Sequence, residues 1–227
     1  IFDNKGFEIA ATRLAELAMQ VAKDYDIQIE ILNLGGGMGI AYVPTDTPLA
    51  IEKMASELVD IVYKVFTSNG LAMPQLAFEP GRAIVGPSTV TLYTVGTIKN
   101  VQLENNESRT YVAIDGGMSD NIRTALYQGE YTVSLVSRLS NAKPMLSRVV
   151  GRHCESGDIV VRDCYLPEDL VPGDLIAVAA TGAYNRSMSN QYNLVTRPGV
   201  ISINNGNVKE ILRPETFEDV FITDPGL

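Results

Sequence analysis

Metal-ligating and thiol side chains are scarce in this chain. His153 is its one histidine, and Cys154 and Cys164 are its two cysteines. No CxxC or HxxxH pattern can be drawn from so few ligands, which excludes a structural zinc site of ordinary spacing. Two thiols in 227 residues point to a reducing compartment rather than to a disulfide framework. Lysine and arginine form no cluster and the formal charge is −9, so the phosphate neutralisation that nucleic-acid binding requires is missing. No apolar run reaches the length of a membrane span, and no signal-peptide pattern is present. The expectation is a cytoplasmic protein that handles a small molecule, with a few arginines held locally against the overall sign. Position 1 is isoleucine, not methionine, so upstream sequence is expected to be missing.

What is present reads as two textures. In the first 85 residues, helix and strand patterns alternate. Phe7, Ala10, Leu14, Leu17 and Val21 recur at helical spacing. Ile27, Ile29 and Ile31 then lead into an apolar run, read as a buried parallel strand. A second helix is expected from about Pro48 to Asn69, with Thr47 as N-cap, Gly70 just past the end, and a stripe of Ile51, Met54, Leu58, Val62 and Val65. "PQLAFEPGR" reads as a further strand ending in a polar turn. This order is that of a parallel α/β fold, in which chemistry gathers at the carboxyl ends of strands. From about Gly86 the helical stripes fade. Short strands separated by turn residues, with an Asn-Gly hairpin signal in "INNGN", indicate an antiparallel β-domain over 86–227 with a short final helix at "RPETFEDVF".

Five segments carry candidate chemistry. "LGGGMGI" places four glycines in five residues after a strand, but it fits neither the dinucleotide fingerprint nor the Gly-Lys-Ser/Thr nucleotide loop. It leaves a loop whose N–H groups suit a single phosphate, or else a tight turn needing positive φ. "FEPGR" sets Glu79, Gly81 and Arg82 at the next strand end, as a binding turn or a surface ion pair. In "DGGMSDNIRTALY", Arg123 and Tyr127 are four residues apart. They share a face on a helical turn and suit a carboxylate. "GRHCESGD" sets Cys154 beside Glu155. Adjacent His153 and Cys154 point to opposite faces if extended, which argues against a Cys/His nucleophile pair. Cys154 then suits a proton donor or an inert buried thiol, and Glu155 suits an ammonium. "GAYNRSMSNQYN" offers Tyr184 after a strand, as a phosphate donor or a structural tyrosine.

In this order and spacing, the five segments resemble the diaminopimelate decarboxylases, a family of the alanine-racemase-like, pyridoxal-phosphate-dependent decarboxylases. The resemblance runs along the whole chain from Ile1. It implies residues 1–85 as the last units of a pyridoxal-phosphate-binding (β/α)8 barrel and residues 86–227 as a Greek-key or barrel-like β-domain. It implies that Gly36, Gly37 and Gly81 hold the cofactor phosphate and that Glu79 faces the pyridine nitrogen. Arg82 then lies among phosphate and substrate contacts, and Tyr184 near both cofactor and substrate. Arg123 and Tyr127 grip the distal carboxylate, and Glu155 holds the distal ammonium. Cys154 is the implied proton donor, reaching with its segment into the neighbouring subunit of a homodimer. The implied reaction is decarboxylation of meso-2,6-diaminopimelate to L-lysine and CO2, the last step of lysine biosynthesis.

The family's cofactor-linking lysine, on an early barrel strand, has no counterpart here. A full barrel takes about 250 residues, so the chain is expected to be a C-terminal portion that is inactive alone. Two alternatives stay open. One is a related decarboxylase of ornithine, arginine or carboxynorspermidine, disfavoured by the pairing of Arg123 with Glu155. The other is a non-catalytic dimerisation module.

Overall fold

The structure, a computed structural model, describes residues 5–104 and 107–226. The outermost ends of the two expected domains, at Ile1 and Leu227, lie outside the described residues. The chain divides into two compact units, Ile1–Ser88 and Thr89–Leu227.

In the first unit, helix α1 (Lys5–Tyr25) precedes strand β1 (Ile31–Gly36). Helix α2 (Ile51–Ser68), strand β2 (Gln75–Glu79) and the short helix α3 (Gly81–Val85) follow. Strands β1 and β2 pair in parallel, with α1 packed on α2. The expected helix at the N-terminus is there, but its buried face differs. Phe7, Ala11, Ala15 and Ala18 are buried, whereas Leu17 is exposed and Ala10 also faces solvent. Alanines at this spacing let α1 pack closely against α2, which a leucine stripe would hold apart. Helix α2 starts at Ile51, later than expected, with Ala50 rather than Thr47 at its N-cap. Residues 46–50 adopt no helix, and Leu49 packs on the core, so packing overrides the local capping preference. Ile51 is exposed, and Phe66 takes a core position beside Met54, Leu58 and Val62. The C-terminus is as expected, with Gly70 at φ +70°. Strand β1 is parallel but buried on one face: Leu32 and Leu34 point into the core while Ile31 is exposed.

The second unit is built on a six-stranded sheet. Its strands are β3 (Thr91–Gln102), β4 (Ser108–Ile114), β5 (Val133–Leu135), β6 (Pro144–Val150), β7 (Ile159–Pro167) and β8 (Leu175–Val178), in the order β5-β8-β3-β4-β6-β7. The edge strands β5 and β7 touch, so the sheet curls until its ends meet. Val95, Val112, Val149, Val160, Ile176 and Val178 fill the interior. Helix α4 (Arg123–Tyr127) follows β4, and helix α5 (Asn185–Met188) follows β8. A separate hairpin pairs β9 (Val200–Asn204) with β10 (Asn207–Leu212). Asn205 and Gly206 both take positive φ at its turn, as the Asn-Gly signal requires. Helix α6 (Phe217–Phe221) ends the fold behind a Thr216–Asp219 capping box.

The sheet is antiparallel except at one place: β4 pairs with β6 in parallel. Parallel neighbours need a long crossover, and residues 115–143, carrying α4 and β5, provide it. This exception positions the site. Strand β3 is antiparallel to both β4 and β8, so β4, β6 and β8 all run in one direction. The loops after these three strands therefore leave the same end of the sheet. Among the described residues, no helix is long and apolar enough to cross a membrane.

Candidate functional site

In the first unit the glycine loop and the EPGR turn sit side by side, because Gly36 and Glu79 are partners in the β1–β2 pairing. The two backbones are so close that a Cβ on Gly36 would lie 2.0 Å from the Glu79 carbonyl oxygen. Gly35 and Gly37 take φ of +75° and +98°, conformations that favour glycine. Asn33 ties the two segments together. Its amide donates to Glu79 Oε1 at 2.7 Å, and its Oδ1 accepts the Gly35 N–H at 2.8 Å. Arg82 spends its guanidinium on the loop, donating to the Gly37 carbonyl at 2.9 Å and to the Met38 carbonyl at 3.2 Å.

Among the described residues, the Gly81 N–H, at the first position of α3, donates to no other protein group, whereas the parallel pairing of Gly36 with Glu79 engages the Gly37 N–H with the Glu79 carbonyl. The Gly81 N–H and the anchored Glu79 carboxylate stand at the carboxyl end of β2, beside the glycine loop that leaves β1. They suit a phosphorylated ring with a basic nitrogen: an N–H group for the phosphate, a carboxylate for the protonated nitrogen.

In the second unit the other three segments converge at the end of the sheet where β4, β6 and β8 terminate. Asp158, buried, is their staple. Its carboxylate accepts the Met118 N–H at 2.6 Å and the His153 N–H at 2.7 Å, joining the loop after β4 to the loop after β6. Gly117 and Gly151 abut this carboxylate, and a Cβ at either would meet it within 2.6 Å. The Arg152 N–H donates to the Gly116 carbonyl at 3.0 Å, and the Asn190 N–H to the Ser119 carbonyl at 2.8 Å, which brings in the third segment. Beneath the loop, the Tyr93 hydroxyl donates to Asp120 in a short bond. Burial raises the Asp120 pKa from its usual value, against the hydrogen bond from Tyr93. Burial, then the Asp120 charge, drives the Tyr93 phenol far above its usual range.

The remaining candidates lie on this frame. The Arg123 guanidinium stands between two rings, 5.9 Å from the centroid of Tyr131 and 6.0 Å from that of Tyr184, and donates to the Tyr131 hydroxyl at 3.2 Å. Tyr184 is half-exposed and has φ +72°, ψ −28°, a conformation that costs a non-glycine residue about 1–3 kcal/mol. Tyr127 is exposed at the far end of the same short helix as Arg123. Cys154 is exposed and His153 is buried, so the two face apart. Glu155 accepts a short hydrogen bond from the Tyr192 hydroxyl. Both cysteines are free. Sequence reasoning singled out Arg123, Tyr184, Cys154 and Glu155, but not Asn33, Ser119, Tyr131, Asp158 or Tyr192. Asp158 carried a signal, as an Asp after a glycine at the end of "CESGD", facing a glycine-rich loop.

The family model "Pyridoxal-dependent decarboxylase, C-terminal sheet domain" matches residues 25–182. The diaminopimelate decarboxylase of Mycobacterium tuberculosis (strain H37Rv) is 52% identical over 224 residues, which cover 97% of this chain and 50% of that protein. The corresponding protein of Corynebacterium efficiens is 46% identical over 220 residues, covering 97% and 48%. The crystal structure of diaminopimelate decarboxylase from M. jannaschii in complex with L-lysine superposes with a TM-score of 0.89 at 29% identity, covering 99% of this chain and 49% of that one. The chain thus spans about half the length of the curated relatives it matches.

Proposed function

The chain belongs to the pyridoxal-dependent decarboxylases, and on that footing we propose that it forms the C-terminal half of an enzyme converting meso-2,6-diaminopimelate to L-lysine and CO2. The observation that carries this reading is the common direction of β4, β6 and β8. It gathers a carboxylate-binding Arg123, an anionic Glu155 and an exposed Cys154 at one end of one sheet. The cofactor is pyridoxal 5′-phosphate. Bound, it supplies a sink for the electron pair left on the carbon that loses CO2. Gly36, Gly37 and Gly81 cradle its phosphate, with the Gly81 N–H as donor, and Glu79, kept in place by Asn33, keeps its ring nitrogen protonated. Arg82 closes the glycine loop and lies at the phosphate and substrate. Arg123, with Tyr127, grips the distal carboxylate; hydrogen bonds to charged groups contribute about 1.5–3 kcal/mol each. Tyr184 packs over Arg123 beside cofactor and substrate.

Glu155 takes the distal ammonium, and Cys154 delivers the proton to the carbon that has lost CO2. Both act in the neighbouring subunit's site. The loop bearing Cys154 and the loop bearing Arg123 are stapled to each other by Asp158 in one chain. A twofold dimer formed through this end of the sheet places each loop in a different one of two equivalent sites. The setting is the cytoplasm, in keeping with two free thiols. The lysines Lys5, Lys23, Lys53, Lys64, Lys99, Lys143 and Lys209 all lie outside the glycine loop and the EPGR turn. The cofactor-linking lysine is therefore assigned to the other half of the enzyme.

The test is complementation between subunits in the full-length enzyme. Arg123→Ala and Cys154→Ala homodimers are each expected to be nearly inactive on meso-diaminopimelate. Mixed and reassociated, they should recover up to about a quarter of wild-type turnover, because each heterodimer contains one intact site. No recovery would refute the shared site. Faster turnover of ornithine than of diaminopimelate by the wild-type enzyme would refute the substrate.

A further inference from the structure

Glu155 has a built support. Its Oε1 accepts the Tyr192 hydroxyl, and that bond is the leading cause of the raised Tyr192 pKa. Tyr192 does not stand free. Its ring meets the buried His153 ring edge-on, with centroids 5.4 Å apart and an interplanar angle of 66°. His153 is pinned from three sides: its N–H by Asp158 at 2.7 Å, Nε2 by Ser119 Oγ at 2.8 Å, and Nδ1 by the Asn193 amide at 3.5 Å. The backbone just beyond Tyr192 is constrained as well. Asn193 and Leu194 take φ of +54° and +56° in succession, which non-glycine residues rarely do. The Tyr192 N–H is capped by Asn190 Oδ1 at 3.0 Å.

We propose that Tyr192, braced by His153, is a positioning residue that sets substrate specificity by orienting Glu155 toward the substrate's distal ammonium. This inference rests on the reading of Glu155 as the ammonium-binding residue. A carboxylate offers about four lone-pair sites. Tyr192 occupies one of them on Oε1, which restrains the side chain while leaving Oε2 and the remaining sites for an ammonium. Because the phenol is a neutral donor, it orients the carboxylate without cancelling its charge. Without the hydroxyl, Glu155 has to be ordered by the ligand itself, and that cost falls on binding.

L-Lysine and 6-aminohexanoate separate the possibilities. They share the carboxylate and the terminal amine and differ in the α-ammonium that Glu155 would hold. Affinities for both are measured by titration calorimetry on the full-length, cofactor-loaded enzyme. Tyr192→Phe is expected to weaken L-lysine binding about tenfold, the scale of one hydrogen bond to a charged group, and to leave 6-aminohexanoate unchanged within twofold. Glu155→Gln should remove the wild-type preference for L-lysine. Equal losses for both ligands in Tyr192→Phe would mean that Tyr192 is merely structural. That outcome, or no loss for either, overturns the inference even where Glu155→Gln behaves as expected. A Glu155→Gln enzyme that keeps the preference overturns the ammonium reading itself, and the inference with it. A second measurement needs no Tyr192 variant. In enzyme labelled with tyrosine carrying 13C at Cζ, Glu155→Gln should shift the Tyr192 signal, and an unmoved signal would refute the contact.

Discussion

Asp158→Asn is the sharpest single perturbation of the sheet unit. The side chain is buried, and its two oxygens accept N–H groups from different loops at 2.6 and 2.7 Å. Hydrogen bonds to a charged acceptor contribute about 1.5–3 kcal/mol each. Asparagine preserves shape but presents one oxygen and one NH2 group. One backbone N–H keeps an acceptor, while the other faces a donor with no room to turn away, because Gly117 and Gly151 already press on the carboxylate. One charged bond is thus weakened to a neutral one and the other becomes a donor–donor contact, while the cost of burying the charge is relieved. The expected net loss is about 2–3 kcal/mol. For a chain of this size that corresponds to a fall in melting temperature of roughly 4–12 °C. Near-UV circular dichroism would follow the melt, since Tyr93 and Tyr131 are both buried in this unit. The loop carrying Cys154 and Glu155 should loosen at the same time, so L-lysine affinity should fall in the loaded full-length enzyme. A variant that melts within about 1 °C of wild type with unchanged affinity would refute the staple.

Gly36→Ala should destabilise the first unit by about 1–3 kcal/mol and abolish tight cofactor binding, because its Cβ meets the Glu79 backbone at 2.0 Å. Gly81→Ala, with open space around its Cβ and an N–H left in place, should retain cofactor affinity within about twofold; a cofactor absorbance titration that ranks the two variants the other way would contradict the geometry. The Arg138 guanidinium, then the Val171 N–H and the Ser137 hydroxyl, hold the buried Asp174 carboxyl down to about 2. A carboxyl depressed in the folded state stabilises fully above its unfolded pKa of about 4 and loses that contribution as pH falls toward 2, so about 2 kcal/mol should disappear across this window and not in Asp174→Asn; denaturant midpoints at pH 6 and pH 2.5 measure it. Cys164 is pushed up to about 12 by burial and the neighbouring Asp163, whereas Cys154 is exposed, so a thiol reagent at pH 8 should show one fast equivalent that Cys154→Ser removes.

The strands and helices were largely legible in the sequence, since each depends on local periodicity. The face of α1 was not. Apolar residues occur on both sides of that helix, and only contact with α2 selects Ala11, Ala15 and Ala18 over Leu17. Nor was the parallel pairing of β4 with β6, because a 29-residue crossover separates them and nothing within either strand encodes its neighbour's direction. The candidate site divides along the same line. Residues within one motif, such as Glu79 with Arg82 or Arg123 with Tyr127, could be grouped from spacing. Their supports could not. Asn33 reaches Glu79 across 46 positions, Asp158 reaches Met118 across 40, and Tyr192 reaches Glu155 across 37.

Those supports also set the acids paired with arginine apart from Glu79 and Glu155, the two acids to which the proposed function gives a ligand. Asp174 and Asp169 share Arg138, Glu215 pairs with Arg197, and Asp219 pairs with Arg213. In each case the negative charge is matched by a guanidinium and its field is largely cancelled beyond the pair. Among the described residues, Glu79 and Glu155 form no ion pair with lysine or arginine. Glu79 is held by the Asn33 amide and Glu155 by the Tyr192 phenol. A neutral donor fixes the direction of a carboxylate and leaves its charge unspent. An ammonium or a protonated ring nitrogen arriving at such a group meets an oriented, uncompensated anion. The same ligand arriving at Asp174 would have to displace Arg138. A neutral donor does not by itself mark a ligand site, since buried Asp158 is held by two backbone N–H groups and serves the frame, whereas Glu155 is exposed. Under the proposed function, Glu79 and Glu155, on separate units of the chain, share one role, which is to hold a positive charge that the protein itself does not provide.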